Sequence, residues 1–155
     1  MSYFVNFTVA GQRYAMRSCD VHKVIRVVDI VPIPNSSEKI SGTINKHGAR
    51  VVIFNMQAIF TGSSREVELT DAIIVIRLKE RKIGLLVDGI SGIEERSEED
   101  NIRYKEILLE ERTPEGLSTF RDGTILISDV ESFLAACTHD GIRSDGKFKN
   151  EKQFA

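Results

Sequence analysis

Residues 41–60 read SGTINKHGARVVIFNMQAIF and combine a turn signal with a strand pattern. Gly42 and Gly48 enclose the polar residues 45–47, and a β-branched run begins immediately afterwards. Turn residues followed by a short apolar run predict a tight connection between two strands. The run ends in Asn55, followed by residues that predict a short amphipathic helical turn ending in Phe60.

The same plan occurs again near the end of the sequence. Residues 49–60 (ARVVIFNMQAIF) and 123–134 (GTILISDVESFL) each contain a strand pattern, then Asn or Asp, then a short helical pattern ending in Phe or Phe-Leu. Similar segments within one chain indicate internal repetition. This similarity predicts two half-domains of related structure.

Short strand patterns separated by turn residues fill most of the remaining sequence. Residues 24–34 form a β-rich run that ends at Pro32 and Pro34, and KERK at 79–82 predicts a hairpin loop. Asp122-Gly123 predicts a second hairpin, because glycine readily adopts positive φ. The first strand pattern places four residues on one face: Tyr3, Val5, Phe7 and Val9.

One stretch near the end has the period of a helix. Residues 128–137 (SDVESFLAAC) have Ser128 and Glu131 at capping-box spacing. A helical face is predicted for Val130, Phe133, Leu134 and Cys137. Many short strands at regular spacing and a closing helix predict small barrels or a sandwich, not alternating strands and helices.

The composition excludes several classes of protein. The 155 residues suit one domain, and the net charge of −2 lacks the basic excess that nucleic-acid binding requires. No apolar run approaches the ~20 residues of a membrane-spanning helix, and the N-terminus lacks a signal-peptide pattern. We expect a cytoplasmic protein without direct membrane insertion, ending in a flexible polar tail over residues 138–155.

Catalytic and ligand-binding alternatives find little support in the sequence. Gly48 leads into a strand, whereas a phosphate-binding loop leads into a helix. Cys19, His22 and His47 could supply three metal ligands to a small metal-dependent hydrolase. No second close-spaced pair completes that site, and no G-x-S-x-G pattern occurs. We therefore expect no catalytic, cofactor or metal site.

Apolar residues in two segments exceed what two small barrels can enclose, and some are expected to line a groove at a seam. These residues are Val21, Val24, Ile25 and Val28 in the first segment, and Leu86, Val87, Ile90 and Ile93 in the second.

Three segments follow one another in a characteristic order: RYAMRSCDVHKVIRVVDIVPIPNSSEKISGTINKHGARVVIFNM (13–56), IIVIRLKERKIGLLVDGISGI (73–93) and GLSTFRDGTILISDVESFL (116–134). Together they resemble the CheW family of chemotaxis coupling proteins. In that family a V-x-E-V-I element precedes a G-x-x-N-L-R-G turn and V-P-V-x-D-L. A G-x-x-V-D-x-V strand and a G-x-L-I-x-x-x-D segment follow. The order and spacing of these elements carry the resemblance over residues 3–136.

The resemblance implies an all-β fold with short helices, in which two intertwined five-stranded SH3-like β-barrels and a closing C-terminal helix form one domain over residues 1–137. It also implies a non-catalytic adaptor between chemoreceptor cytoplasmic tips and the regulatory domain of a histidine kinase. By motif position, receptor binding is expected at Val21, Lys23, Val24, His47 and Val87. Kinase binding is expected at Gly42, Asn45 and Gly48.

This chain departs from the family pattern at polar positions. Lys23 stands at the usual Glu, and Lys46 and His47 stand at the usual Leu-Arg pair. Val52 and Asn55 replace the usual Pro and Asp. The Glu and Arg that can attract each other in the family are replaced by Lys23 and His47, so the surface would prefer an acidic partner. The alternative function is a CheW-like scaffold or antagonist in another sensory pathway.

Overall fold

A computed structural model describes residues 2–103 and 116–137, and most of them lie in two sheets. One sheet contains β1 (Ser2–Val9), β2 (Gln12–Arg17), β8 (Gly89–Arg96), β9 (Asn101–Arg103), β10 (Leu117–Phe120) and β11 (Ile125–Ile127). The other contains β3 (Val21–Arg26), β4 (Ile40–Lys46), β5 (Ala49–Asn55), β6 (Ala72–Leu78) and β7 (Arg81–Val87). Helices α1 (Met56–Thr61) and α2 (Val130–Cys137) follow β5 and β11. Neither helix in this part of the chain is long and apolar enough to cross a membrane.

The two sheets exchange strands. The strand orders are β8-β1-β2-β11-β10-β9 and β3-β6-β7-β5-β4. Hairpin β1–β2 continues into β3, which pairs with β6, and hairpin β6–β7 continues into β8, which pairs with β1. Each hairpin also has a parallel neighbour, β11 beside β2 and β5 beside β7. The predicted intertwined, mostly β fold with two similar halves is confirmed, and β9 adds a sixth strand to one sheet.

Three apolar cores explain why the strand sequences are almost continuously hydrophobic. The main core lies between the sheets, where Phe7, Tyr14, Phe60 and Phe133 form a run of stacked rings with centroids 4.2–5.7 Å apart. A second core covers the opposite face of the five-stranded sheet and includes Ile53, Ile73 and Val75. A third contains Phe4, Ala15, Phe120 and Leu126. Strands buried on both faces lose the usual alternation of polar and apolar residues.

The first strand is present where its pattern predicts it, and its predicted face is buried except at its beginning. Val5, Phe7 and Val9 are buried, whereas Tyr3, near the beginning of β1, is 57% exposed. On the other face, Phe4 is completely buried in the third core against Phe120.

The β-rich run of residues 24–34 forms less strand than its composition predicts. Strand β3 ends at Arg26, and beyond it Val31 forms an isolated bridge to Thr43. Pro32 and Pro34 cannot donate ladder hydrogen bonds, so the pairing does not extend through them. The hairpins predicted at residues 79–82 and at Asp122-Gly123 are both present.

Both helices begin at an acidic or amide side chain that follows a strand. Asn55 Oδ1 accepts a hydrogen bond from Ala58 N at 3.1 Å, and Asp129 Oδ1 accepts one from Ser132 N at 3.1 Å. The predicted helix with its buried face is confirmed, but the predicted capping box is wrong. Ser128 Oγ instead donates to Gly116 O at 3.1 Å, which leaves Asp129 as the cap.

Candidate functional site

Strand β3 is an edge strand whose two faces carry different chemistry. A β-bulge between Val21 and Lys23 interrupts its pairing with β6. As a result Val21 and Val24, three residues apart, pair with Ile76 and Ile74, which both belong to the main core. Val21 is partly buried against that core, whereas 40% of Val24 is exposed. The bulge therefore brings two of the predicted receptor-binding residues to one face.

Val24 lines an open groove of about 500 Å³ that spans the two sheets. The groove also contains Leu69, in the loop after α1, and Ile90, from the edge strand β8 of the six-stranded sheet. Leu69 is 93% exposed, so its side chain contributes to the surface and not to a core. The predicted groove at the seam is present, and Val24 and Ile90 are among the residues from which we predicted it. We call this surface the seam groove.

An ion-pair network fixes the loop that carries Leu69. The Arg65 guanidinium donates to Asp71 Oδ1 and to Asp88 Oδ1, both at 2.7 Å, and Asp71 is buried. Asp88 Oδ2 also accepts from Ala10 N at 2.8 Å, which ties the loop to the β1–β2 turn. These hydrogen bonds, the one to Asp71 more than the one to Asp88, raise the pKa of Arg65 above its ordinary value. The network therefore holds one wall of the seam groove in place.

Val87 lies on the same side of the five-stranded sheet but inside the protein. It pairs with Ala72, belongs to the main core and is 1% exposed. Its neighbour Leu86 is buried in the second core. A partner cannot contact the Val87 side chain in this conformation, so the predicted receptor-binding set loses Val87 as a surface contact.

Lys23 belongs to the opposite face of β3, at the end of the second core. It pairs with Val75 of that core, and it lines a cavity of about 340 Å³ together with His47. The apolar part of the cavity is formed by Ile44, Val51, Val75 and Ala49. Its charged lining consists of Lys23, Lys46, Arg50, Arg81 and Lys82, with Glu80 as the acidic residue among the described residues. We call this site the lysine cavity.

Crowding of positive charge changes the titration of Lys23. A hydrogen-bonding contact with Lys46, partial burial, and the positive charges of Lys46 and Lys82 lower the pKa of Lys23. The family's attractive Glu–Arg arrangement is therefore replaced here by repulsion among cations. Sequence reasoning anticipated a more cationic surface around Lys23 and His47, but it did not identify Lys46 or Lys82 as neighbours of Lys23.

The predicted kinase-binding residues separate into two environments. His47 and Gly48 have φ of 51° and 79°, as the two-residue turn between β4 and β5 requires, and Asn45 and Gly48 are exposed. Gly42 is buried, and a Cβ at that position would collide with the carbonyl oxygen of Val31. Asn45 and Gly48 are therefore accessible, whereas Gly42 permits close packing of the chain.

The three residues considered as metal ligands do not come together. Cys19 and His22 line a different cavity, next to Asp129 and Glu131, whereas His47 lines the lysine cavity. Partial burial, followed by the charges of Lys82, Arg77 and Lys23, lowers the pKa of His22. Within residues 2–103 and 116–137, no cluster of three or more His, Cys, Asp or Glu side chains could hold a metal ion.

Comparison with known proteins identifies the family to which this chain belongs. A family model described as the CheW-like domain matches residues 3–137. The chain belongs to the CheW-like family. The chemotaxis protein CheW of Thermotoga maritima is 32% identical over 89 residues, which cover 57% of this chain and 58% of that protein. CheW of Klebsiella aerogenes is 22% identical over 135 residues, covering 86% and 81% of the two chains.

A solved structure has the same CheW-like fold. The crystal structure of the scaffolding protein TtCheW from Thermoanaerobacter tengcongensis matches with a TM-score of 0.68 at 25% identity. The match covers 81% of this chain and 86% of that one. Within this fold, Leu69 and Lys82 are surface residues that sequence reasoning missed. Leu69 is a single apolar residue in a polar loop, and Lys82 belongs to a segment interpreted only as a hairpin turn.

Proposed function

We propose that this CheW-like protein is a non-catalytic adaptor that couples the cytoplasmic tips of chemoreceptors to the regulatory domain of a histidine kinase. The observation that carries the proposal is the seam groove, in which Val24, Leu69 and Ile90 present apolar surface to solvent. Relatives named as chemotaxis and scaffolding proteins support the pathway and the adaptor role.

The seam groove suits a helical receptor tip. An amphipathic helix binds by laying its apolar side chains in such a groove. The exposed Val24 and Leu69 and the partly buried Ile90 provide the contacts. Val21 lies along the same edge strand and would extend the contact, although part of its side chain already packs in the core. Of the two valines, Val24 is therefore the one at which a substitution tests binding with less effect on the fold.

Replacing Val24 by Asp tests this assignment. Val24→Asp should weaken binding of a receptor-tip fragment by more than ~1 kcal/mol, about fivefold in Kd, because a charge would enter an apolar contact. Val28→Asp is the matched control, since Val28 is 50% exposed but does not line the groove. Titration calorimetry with both folded variants gives the comparison. Equal affinities for wild type and Val24→Asp would remove the seam groove from receptor binding.

The kinase regulatory domain is proposed to dock at the exposed β4–β5 turn and the strand that follows it. Asn45 and Gly48 are accessible there, and β4 is an edge strand of its sheet. Gly48→Val should disturb the turn, because a β-branched residue resists positive φ. We expect loss of kinase-domain binding with an unchanged circular dichroism spectrum. Continued binding despite a rearranged turn, seen by NMR, would place the kinase surface elsewhere.

A scaffold or antagonist of another sensory pathway is the second candidate. The lysine cavity favours it, because Lys23 and His47 stand there in place of the Glu and Arg that the family resemblance implies. An adaptor binds receptor and kinase together, whereas an antagonist that occupies one partner displaces the other. Size-exclusion chromatography with light scattering separates these functions. A complex containing all three proteins supports the adaptor, and mutually exclusive binary complexes support the antagonist.

A further inference from the structure

We infer that the lysine cavity is a docking site for an acidic segment of a protein partner, whose carboxylates enter between Lys23, Lys46 and Lys82. This inference rests on the proposed function, because the partner is one that the adaptor couples. It assigns to the cavity a partner chemistry that differs from the apolar contacts of the seam groove.

The fold gathers the three lysines from separate strands. Lys23 lies on one edge strand of the five-stranded sheet, Lys46 lies on the other, and Lys82 lies on the central strand β7. The sheet curls so far that the chain after β3 meets β4, where Val31 N donates to Thr43 O at 2.8 Å and Thr43 N donates to Val31 O at 2.9 Å. Charges that are distant along the sheet therefore share one cavity.

These lysines lack the ion pairs that several other cations form among the described residues. Ion pairs with Asp or Glu are formed by Arg13, Arg17, Arg65, Lys79, Arg96 and Arg121. In the part of the chain that the structure describes, Lys23, Lys46 and Lys82 form no ion pair within 4 Å. The chain has 23 acidic residues and a net charge of −2, so this local excess of positive charge is not a property of the whole protein. A carboxylate from outside would neutralise it.

The shape and lining of the cavity favour a peptide segment over a phosphate ion. Ile44, Val51 and Val75 provide apolar contact for the side chains that flank a carboxylate, and their low polarity strengthens its attraction to the lysines. A phosphate nest needs successive backbone N–H groups in alternating right- and left-handed conformations. His47 and Gly48 are both at positive φ, which is the geometry of a hairpin turn.

The test uses the full chain with hexaglutamate as the probe and hexaglutamine as the uncharged control. Binding is followed by NMR shifts of the lysine side chains at about 50 mM salt, where screening is moderate. We expect hexaglutamate to shift the NMR signals of Lys23, Lys46 and Lys82 and to raise the pKa of Lys23. Its binding should weaken as the salt concentration increases. Hexaglutamine should not bind.

Substitutions that remove one charge at a time locate the site. Lys23→Gln, Lys46→Gln and Lys82→Gln should each weaken hexaglutamate binding by about fivefold or more. Lys79→Gln is the matched control, because Lys79 lies in the same sheet region but pairs with Glu131 at 3.5 Å. Equal weakening by Lys79→Gln, absence of hexaglutamate binding, or tighter binding of inorganic phosphate than of hexaglutamate would overturn the inference.

The same variants separate this inference from the proposed adaptor function. If the receptor tip and kinase domain bind wild type but neither is affected by the three substitutions, the adaptor stands and the acidic docking site is wrong. If hexaglutamate binds at the lysine cavity while neither protein partner binds, the acidic docking site stands and the proposed partners are wrong. A loss of binding of one partner in all three variants, with Lys79→Gln unchanged, supports both.

Discussion

At the scale of single residues, two glycines with positive φ occupy sites of different packing. Gly48 has open space around its α-carbon, whereas Gly42 lies against the backbone of Val31. Gly48→Ala should cost about 1 kcal/mol of unfolding free energy, since only the backbone conformation is penalised. Gly42→Ala should cost about 2–4 kcal/mol, because a collision adds to that penalty. Urea denaturation measures the free energy of unfolding of both variants. Equal losses would show that the chain around Val31 moves aside without destabilising the fold.

Val24 and Val87 show a limit of sequence reasoning at the same scale. Both belong to apolar motifs and both lie on the main-core side of the sheet, yet one is 40% exposed and the other 1%. The difference arises because Val24 lies on an edge strand and Val87 lies on an interior strand. The sequence of a single strand does not show where that strand lies in the sheet. The exposed groove could therefore be predicted as a feature, but its individual contacts could not.

The burial of Val87 has a measurable consequence. Val87→Asp should lower the free energy of unfolding by more than ~3 kcal/mol, because it places an unpaired charge in an apolar core. Val24→Asp should change it by less than ~1 kcal/mol, as is usual for exposed sites. Thermal unfolding followed by circular dichroism compares the two variants. A stable Val87→Asp protein would indicate that this part of the core opens to solvent.

At the scale of elements, Arg65 connects the loop after α1 to both sheets. Arg65→Met should destabilise the fold by about 2–4 kcal/mol, because it leaves the buried Asp71 carboxylate without its cation. Binding of the receptor tip should weaken as well, since Leu69 is carried by that loop. Arg121→Met is the control, as the Arg121–Asp100 pair is exposed and 3.8 Å long. Chemical denaturation of both variants and their titration with the receptor-tip fragment test the prediction. Equal losses of stability and of affinity in the two variants would contradict it.

The β10–β11 hairpin gives a prediction that depends on pH. Burial acts to raise the pKa of Asp122, but hydrogen bonds from Thr124 and Arg96 outweigh it and hold that pKa below its ordinary 3.8. A lowered carboxylate pKa stabilises the fold above the unfolded-state value, and this stabilisation disappears as pH falls through the folded-state pKa. Asp122→Asn should therefore be less stable than wild type near neutral pH, and the difference should shrink as pH falls below 3.8 and through the folded-state pKa. Urea midpoints of both proteins measured across this pH range test the prediction, and a difference in stability that does not change with pH would contradict it.

The elements themselves were largely predictable, whereas the contacts that hold them were not. Asp122-Gly123 predicts its hairpin because the turn is local, and residues 130–137 predict their helix by period. The salt bridge of Asp122 to Arg96, at 3.1 Å, joins residues that are far apart in sequence. The gathering of Lys23, Lys46 and Lys82 likewise depends on the curl of the sheet, for which no local pattern exists.

At the scale of the whole molecule, strand exchange makes each half of the chain incomplete without the other. Residues 1–62 contain β1–β5 and α1, but β1 pairs with β8, β2 pairs with β11, and β3 and β5 pair with β6 and β7. Among the described residues of that half, the β1–β2 and β4–β5 hairpins and the isolated Val31–Thr43 bridge would remain paired. Isolated two-stranded hairpins are marginally stable in water, so the first half does not retain enough structure to fold by itself. The second half keeps the β6–β7 hairpin and the β9–β10–β11 strands, but it loses the partners of β6, β7, β8 and β11.

This dependence predicts that the chain unfolds as one cooperative unit although it contains two sheets and three cores. Urea transitions measured by far-ultraviolet circular dichroism and by amide hydrogen exchange should coincide. Fragments 1–62 and 63–155, divided after the left-handed Gly62 that ends α1, should each lack a cooperative transition. When co-expressed they should copurify, because the exchanged strands pair only between them. A cooperative transition in isolated 1–62, or two separate transitions in the intact chain, would show that the sheets are energetically independent despite their shared strands.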